Sequence, residues 1–231
     1  MEDEYNQKRI HPPLWQHDYQ ILKSLYLKLK DLSEKIPEES IIVDYGCGTA
    51  PYAHLFQKKA SRYIKIDIGR NKNADISVKE DRAIPLKSAT ADLILSTQVL
   101  EHVNNVELYL SECHRILKKN GRLILSTHGI WPFHPSPQDF QRYTAPGLKS
   151  VIRKFNFRIL KFYSLLGPFA SVTQFTLLLL AARLGGKNFI FRFLLAIFSL
   201  VANQIIWIEN KIFPADKNSD AAVYLLWAEK K

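Results

Sequence analysis

The chain has 231 residues, 47% of them hydrophobic and 23% charged, with a formal net charge of +10 and two cysteines. That length suits one domain with an elaboration and is ample for a packed core, while two cysteines exclude a disulfide framework. Residues 1–30 are charged and carry no apolar run of the secretory kind, so the expected compartment is the reducing cytosol.

In chain order, residues 1–37 are expected to form an N-terminal helical cap. Leu14, Ile21, Leu22, Leu25, Leu29 and Leu32 recur at helical spacing, and Pro37 breaks the run. An apolar run, Ile41-Ile42-Val43, then ends in Asp44 and meets Gly46 and Gly48. A buried strand entering a glycine turn is how parallel sheets build a nucleotide site at a strand's carboxyl end. Neither glycine has a Cβ, so the chain can turn sharply and let a ligand touch backbone. Pro51 stands where the dinucleotide fingerprint would need its third glycine. Residues 63–68 form a short apolar strand ending at Asp67, about 20 residues after the turn, a spacing at which an acid accepts from both ribose hydroxyls of a nucleoside.

Ile84-Pro85-Leu86 precedes a further strand beginning at Ala91, then Leu100-Glu101-His102-Val103 and a helix through Arg115. Asn120-Gly121 is expected to turn the chain into a fifth strand. Residues 155–162 and 222–228 read as the last two strands. Between these two strands lie 59 residues, far beyond an ordinary connection. They hold apolar helices over 172–184 and 189–208, separated by Gly185-Gly186-Lys187. The first would span roughly 20 Å and the charge-free run 193–208 of the second roughly 24 Å, both short against about 30 Å of hydrocarbon, and the chain must return to the sheet. A hairpin lying in one leaflet fits better than a span; a lid or a dimer contact is the alternative.

Residues 141–213 carry ten basic residues and one acid, Glu209, giving net +9 of the chain's +10. Basic and aliphatic is the character of a membrane-surface helix rather than a nucleic-acid surface, so no nucleic-acid partner is expected.

The run Ile42-Val43-Asp44-Tyr45-Gly46-Cys47-Gly48-Thr49-Ala50, the acid Asp67, the segment from Pro85 to Leu100-Glu101-His102-Val103, and Asn120-Gly121 together resemble the class I S-adenosylmethionine-dependent methyltransferases, in their type-11 group. Ala91 and Asn120 replace that group's usual Phe and Gly. The resemblance covers residues 38–145. It implies an α/β, Rossmann-like fold: a seven-stranded methyltransferase sheet, mostly parallel with the last strand antiparallel, helices on both faces, and an apolar helical hairpin inserted before the last strand. The core would be 38–162 with 222–231, and the insertion 163–221.

The resemblance also implies S-adenosylmethionine as cofactor. Gly46, Cys47 and Gly48 would cradle its methionine part, with Asp44 orienting that loop or the ammonium. Asp67 with Ile68 would take the ribose, either Glu80 or Asp81 the adenine amine, and Thr97 and Gln98 would line the cleft. Trp15, His17 and Tyr19 would approach the cofactor from the cap, or Trp15 and Tyr19 simply pack on the sheet edge. Cys47 reads as a small residue in a tight space rather than a reactive thiol.

The loop 126–144 leaves the fifth strand's carboxyl end with three prolines and the pattern W-P-x-H-x-x-P-x-D-x-x-R-Y-T. It is similar to a subgroup found with surface-glycan and lipid-linked saccharide assembly. A hydroxyl acceptor needs a base, and an imidazole titrating near neutrality suits it. His134 is the first choice, oriented by Asp139, with His128 second; His102 reads as structural or cofactor-adjacent. Trp131, Arg142 and Tyr143 would bind substrate, unless Arg142 braces the loop through Asp139. No metal is expected, since the histidines and acids lack ligand spacing. The leading expectation is a methyltransferase acting on a saccharide or lipid-linked acceptor at the inner membrane face, attached peripherally through 163–213. The alternatives are methylation of a soluble or isoprenoid small molecule, with the hairpin as lid or homodimer contact, and a non-catalytic cofactor-binding scaffold.

Overall fold

A computed structural model describes residues 2–80, 82–135, 137–184 and 188–231. Asp81 and the expected break at Gly185-Gly186-Lys187 lie outside the described residues. Seven strands form one sheet: β1 (Ser40–Tyr45), β2 (Ala60–Ile68), β3 (Ile76–Val78), β4 (Ala91–Thr97), β5 (Leu117–His128), β6 (Phe157–Leu165) and β7 (Val223–Lys230). Their order is β3-β2-β1-β4-β5-β7-β6. β1 pairs in parallel with both β2 and β4, and Ile42 and Val43 are fully buried. Burial on both faces is why this strand reads as an unbroken apolar run rather than an alternation. β7 runs antiparallel to both β5 and β6 and closes the sheet as expected.

The strand order reverses between β1 and β4, and open α/β sheets place ligands at the carboxyl ends beside such a reversal. One apolar cluster packs α4 (Val106–Ile116) and α5 (Ala145–Lys154) on one face of the sheet. The other holds α2 (Tyr19–Ser33), Phe56 of the short α3 (Ala53–Phe56), and the base of a hairpin made by α6 (Pro168–Leu184) and α7 (Phe189–Ile212).

Three expectations change. The cap is two helices, α1 (Glu2–Ile10) and α2, and the latter starts at Tyr19 rather than Leu14. The carbonyls of Leu14, Gln16 and His17 are taken by side-chain amides of Asn203 and Gln174, with Gln16 O also accepting a single turn bond from Tyr19 N (3.1 Å), so α2 does not extend back through them. Asn120-Gly121 does not precede the fifth strand but kinks it from within: β5 begins at Leu117, with Asn120 at φ 61° and a register shift against β4. Finally, α7 runs 24 residues with a mean hydropathy of 2.0 over its most apolar window. At about 36 Å it is long enough to cross a bilayer, so the shortness argument fails for it.

Candidate active site

A cleft of about 1040 Å³ opens at the carboxyl ends of β1, β2 and β4, large enough for two small molecules side by side. Its floor is the glycine turn. The N–H groups of Gly46 and Cys47 both donate to Ile66 O (2.8 and 3.1 Å), folding the turn back onto β2. Gly46 has φ +77°, and a Cβ there would come within 2.5 Å of the Val99 side chain. Gly48 has φ +54°, with open space where its Cβ would stand. Only glycine holds both conformations without strain.

Asp67, at the end of β2, accepts from Gly48 N (3.0 Å), from Ile68 N (2.8 Å) and from Asn71, whose amide also reaches Gly48 O (2.7 Å). Ile68, Glu80, Cys47, Thr97 and Gln98 line the same cleft. Gln98 sits at φ +57° with its N–H on Ser126 O (3.0 Å). Asp44 is buried outside the lining; it accepts from Tyr63 OH (2.7 Å). Burial, tempered by that bond and reinforced by the Asp67 charge, pushes its carboxyl up to about 7. Burial, with the Asp44 and Asp67 charges, also pushes the Cys47 thiol up to about 12, so it stays a protonated, inert thiol.

Two helices roof this half. Asn6 and Thr49 exchange hydrogen bonds (3.0 and 2.6 Å), tying α1 to the glycine turn. Arg9 lines the cleft beside them; its Nη1 donates to Tyr5 OH (2.9 Å), while its buried Nε has no partner and no acid pairs with it among the described residues. Asp18, Ile21, Leu22 and Leu25 complete the roof. Of the three aromatic cap residues named from sequence, none is in the lining: Trp15 is 58% exposed, and the His17 carbonyl is held by Gln174.

The far wall is the loop after β5. Arg142 grips Asp139 with both terminal nitrogens (2.5 Å each) and donates to the carbonyls of Trp131, Pro132 and Gln141. It is fully committed to bracing the loop. Burial pulls the Asp139 carboxyl up, but Arg142 and the His134 N–H outweigh that and hold it at about 2. Tyr143 donates to Gln141 Oε1 (2.8 Å) and packs against the core, so neither Arg142 nor Tyr143 lines the cleft.

Trp131, His128, His134 and His102 do line it. His128 stacks on Trp131 (centroids 4.4 Å apart) and meets His134 edge-on at 5.1 Å; His134 lies 4.9 Å from His102. His134 Nδ1 is 3.4 Å from Asp139 Oδ2. Behind them stands a carboxylate that the sequence does not single out as part of the site. Glu101 is fully buried, its Oε1 3.1 Å from His128 Nδ1 and its Oε2 accepting from Thr127 (2.8 Å). Glu101 and His102 follow the fourth strand in a Leu-Glu-His-Val run that reads equally well as a helix start, so only the fold shows the pair meeting the loop. Sequence spacing also hides that His102, His134 and Asp139 bring ligand-type atoms within 4.8 Å of one another. Both Asp139 oxygens, however, already bind Arg142.

Burial pushes the Glu101 carboxyl up to about 7 and drives the His128 imidazole well below its ordinary value. The two groups act on stability in opposite directions. Glu101 keeps its proton in the fold up to about pH 7, whereas an unfolded glutamate loses it near 4.5; its contribution is therefore lost as pH rises through that window. His128 disfavours the fold as pH drops below about 6.5, because the unfolded imidazole binds the proton more readily. Glu101→Gln removes only the first slope. Thermal melts at pH 5 and pH 8 are expected to show the variant gaining stability relative to wild type mainly at pH 8; an equal shift at both pH values would contradict a buried, proton-holding Glu101.

A family model described as a methyltransferase domain matches residues 15–164. A Mycolicibacterium smegmatis protein described as a probable S-adenosylmethionine-dependent methyltransferase is 28% identical over 103 residues, 41% of this chain and 40% of that one. The ubiquinone biosynthesis O-methyltransferase of Pelagibacter ubique is 25% identical over 131 residues, 48% of this chain and 54% of the relative. The matches thus span about half or less of these relatives. The crystal structure of an S-adenosylmethionine-dependent methyltransferase from Archaeoglobus fulgidus superposes with a TM-score of 0.56 at 16% identity, covering 99% of each chain.

Proposed function

The chain belongs to the class I S-adenosylmethionine-dependent methyltransferases, and from that premise we propose that it methylates a hydroxyl of a saccharide or lipid-linked glycan-type acceptor beside a membrane. The observation that carries the proposal is the far wall: three imidazoles and a buried carboxylate face a cleft whose other half is a glycine cradle. The cradle fits the cofactor. Gly48 leaves open space, Asp67 presents a carboxylate at the ribose position, and Arg9 offers a guanidinium with no acid of its own.

Bound there, S-adenosylmethionine supplies an electrophilic methyl for in-line displacement, so the protein's work is alignment and one proton. Asp67 takes the ribose hydroxyls, Glu80 the adenine amine, and Arg9 the methionine carboxylate. Thr97 and Gln98 close the cleft between the two halves. His134, its Nδ1 side held toward Asp139, receives the acceptor's hydroxyl proton on Nε2. His128, backed by Glu101, gives the Trp131 face a fixed, neutral ring against which an acceptor can stack. The hairpin 163–213 brings the cleft to the inner membrane face.

A second reading, methylation of an isoprenoid or soluble phenol with the hairpin as lid or dimer contact, draws on the ubiquinone-pathway relative. Transfer of tritiated methyl from the cofactor separates the two. Label entering a polyprenyl-linked saccharide fraction supports the first; label entering an isoprenoid phenol but no saccharide supports the second.

A further inference from the structure

The α6–α7 hairpin combines two features that its role as a simple surface anchor leaves unexplained. The first is its exposed side. Only Ser199, Ala202, Asn203 and Ile206, one helical stripe, are buried on α7, while Phe189, Phe193, Leu194 and Val201 are each more than half exposed. Exposed Arg183 and Arg192 flank the hairpin tip, and Lys211 sits over the Trp207 ring at the base. Glu209 is the one acid in the hairpin, and it accepts from Thr173 between the two helices. An apolar helical face bordered by cations fits a surface of anionic headgroups. A second copy would set the same arginines against each other with no acids to meet them.

The second feature is polar. Two side chains on the inner faces of this apolar hairpin, Asn203 and Gln174, are fully buried amides. Such groups are costly unless hydrogen-bonded, and both donate to the link between α1 and α2. Asn203 Nδ2 reaches Leu14 O and Gln16 O (2.9 Å each), and Gln174 Nε2 reaches His17 O (2.8 Å). Gln20 returns a bond to the Asn203 carbonyl (2.8 Å). Directly after this link come Asp18, Ile21, Leu22 and Leu25, which roof the cofactor half of the cleft. The last three share an apolar cluster with Leu177, Ala202 and Ile206 of the hairpin. Hairpin position and roof position are thus set by one set of contacts.

We infer that the α6–α7 hairpin docks on an anionic lipid surface and, through Asn203 and Gln174, holds the roof over the cofactor cleft. Docking orders the hairpin, the amides carry that order to residues 14–17, and the cleft closes more tightly on its ligand. The inference rests on the cofactor placement given above.

Its test is calorimetric titration of S-adenosylhomocysteine into the full chain, with and without vesicles of equal parts phosphatidylglycerol and phosphatidylcholine, alongside vesicle sedimentation. Sedimentation with the vesicles and an affinity about tenfold tighter in their presence are expected, within the usual range of coupling between sites. Asn203→Leu combined with Gln174→Leu should still sediment and still bind the nucleoside but lose the tightening. The wild-type comparison decides even where the double variant fails to fold. Sedimentation with unchanged or weaker affinity overturns the coupling. No sedimentation, with a dimer in the ultracentrifuge, overturns the lipid occupant and leaves the cofactor reading intact. No nucleoside binding in either condition takes both readings down.

Discussion

Asp67→Ala is expected to weaken S-adenosylhomocysteine binding by about a hundredfold or more. A carboxylate accepting from two ribose hydroxyls makes two charge-assisted hydrogen bonds, each contributing about 1.5–3 kcal/mol, and roughly 3 kcal/mol already corresponds to about two orders of magnitude in affinity. The same carboxylate holds Gly48 N and Asn71, so its removal also loosens the cradle that the methionine part would occupy. Calorimetry on folded wild type and variant reads the effect directly, and Asp67→Asn, which keeps one acceptor oxygen, should fall between them. An alanine variant that binds as well as wild type would move the ribose off Asp67.

How much of this the sequence disclosed follows from how local each signal is. The glycine turn was legible because φ values of +77° and +54° leave glycine as the residue that fits, and because β1, buried on both faces, shows no alternation. β4 and β7, also buried on both faces, were legible for the same reason, whereas the three-residue, partly exposed β3 carries no such run, and β5 starts three residues before the Asn-Gly pair expected to introduce it. What escaped was assembled across distance. Glu101 meets His128 from 27 positions away in sequence, and nothing in a Leu-Glu-His-Val run distinguishes a carboxylate facing a pocket from one at a helix start. Arg9 sits in a charged helix whose roofing role depends on the Asn6–Thr49 contact. The apolar spacing of α2 continues back to Leu14 and so predicts an earlier start, while the carbonyls that would extend the helix are held by amides more than 150 residues later. The charges at Arg192 and from Glu209 to Lys211 make the apolar run of α7 look shorter than the helix, which the Asn188 cap starts before them and which continues to Ile212.

The far wall offers the other large effect. His134→Ala is expected to lower the turnover of methyl transfer by about a hundredfold or more, the usual range for losing a positioned base, while S-adenosylhomocysteine affinity stays within about twofold. That separation matters, because His134 stands beside residues with structural duties. Asp139 holds the His134 N–H and the Arg142 guanidinium together, and Arg142 in turn holds three loop carbonyls. Asp139→Asn should therefore lower both turnover and melting temperature, since it leaves a guanidinium with its counter-charge removed. If His134 were only another brace, its alanine variant would follow the same pattern, losing stability and turnover together. A base instead gives a variant that melts like wild type, binds the cofactor product like wild type, and transfers methyl slowly. Measured as label entering the polyprenyl-linked saccharide fraction, wild-type turnover in His134→Ala would remove the proton acceptor from this residue and leave the His128–Glu101 pair, 3.1 Å apart at the back of the same wall, as the group to test.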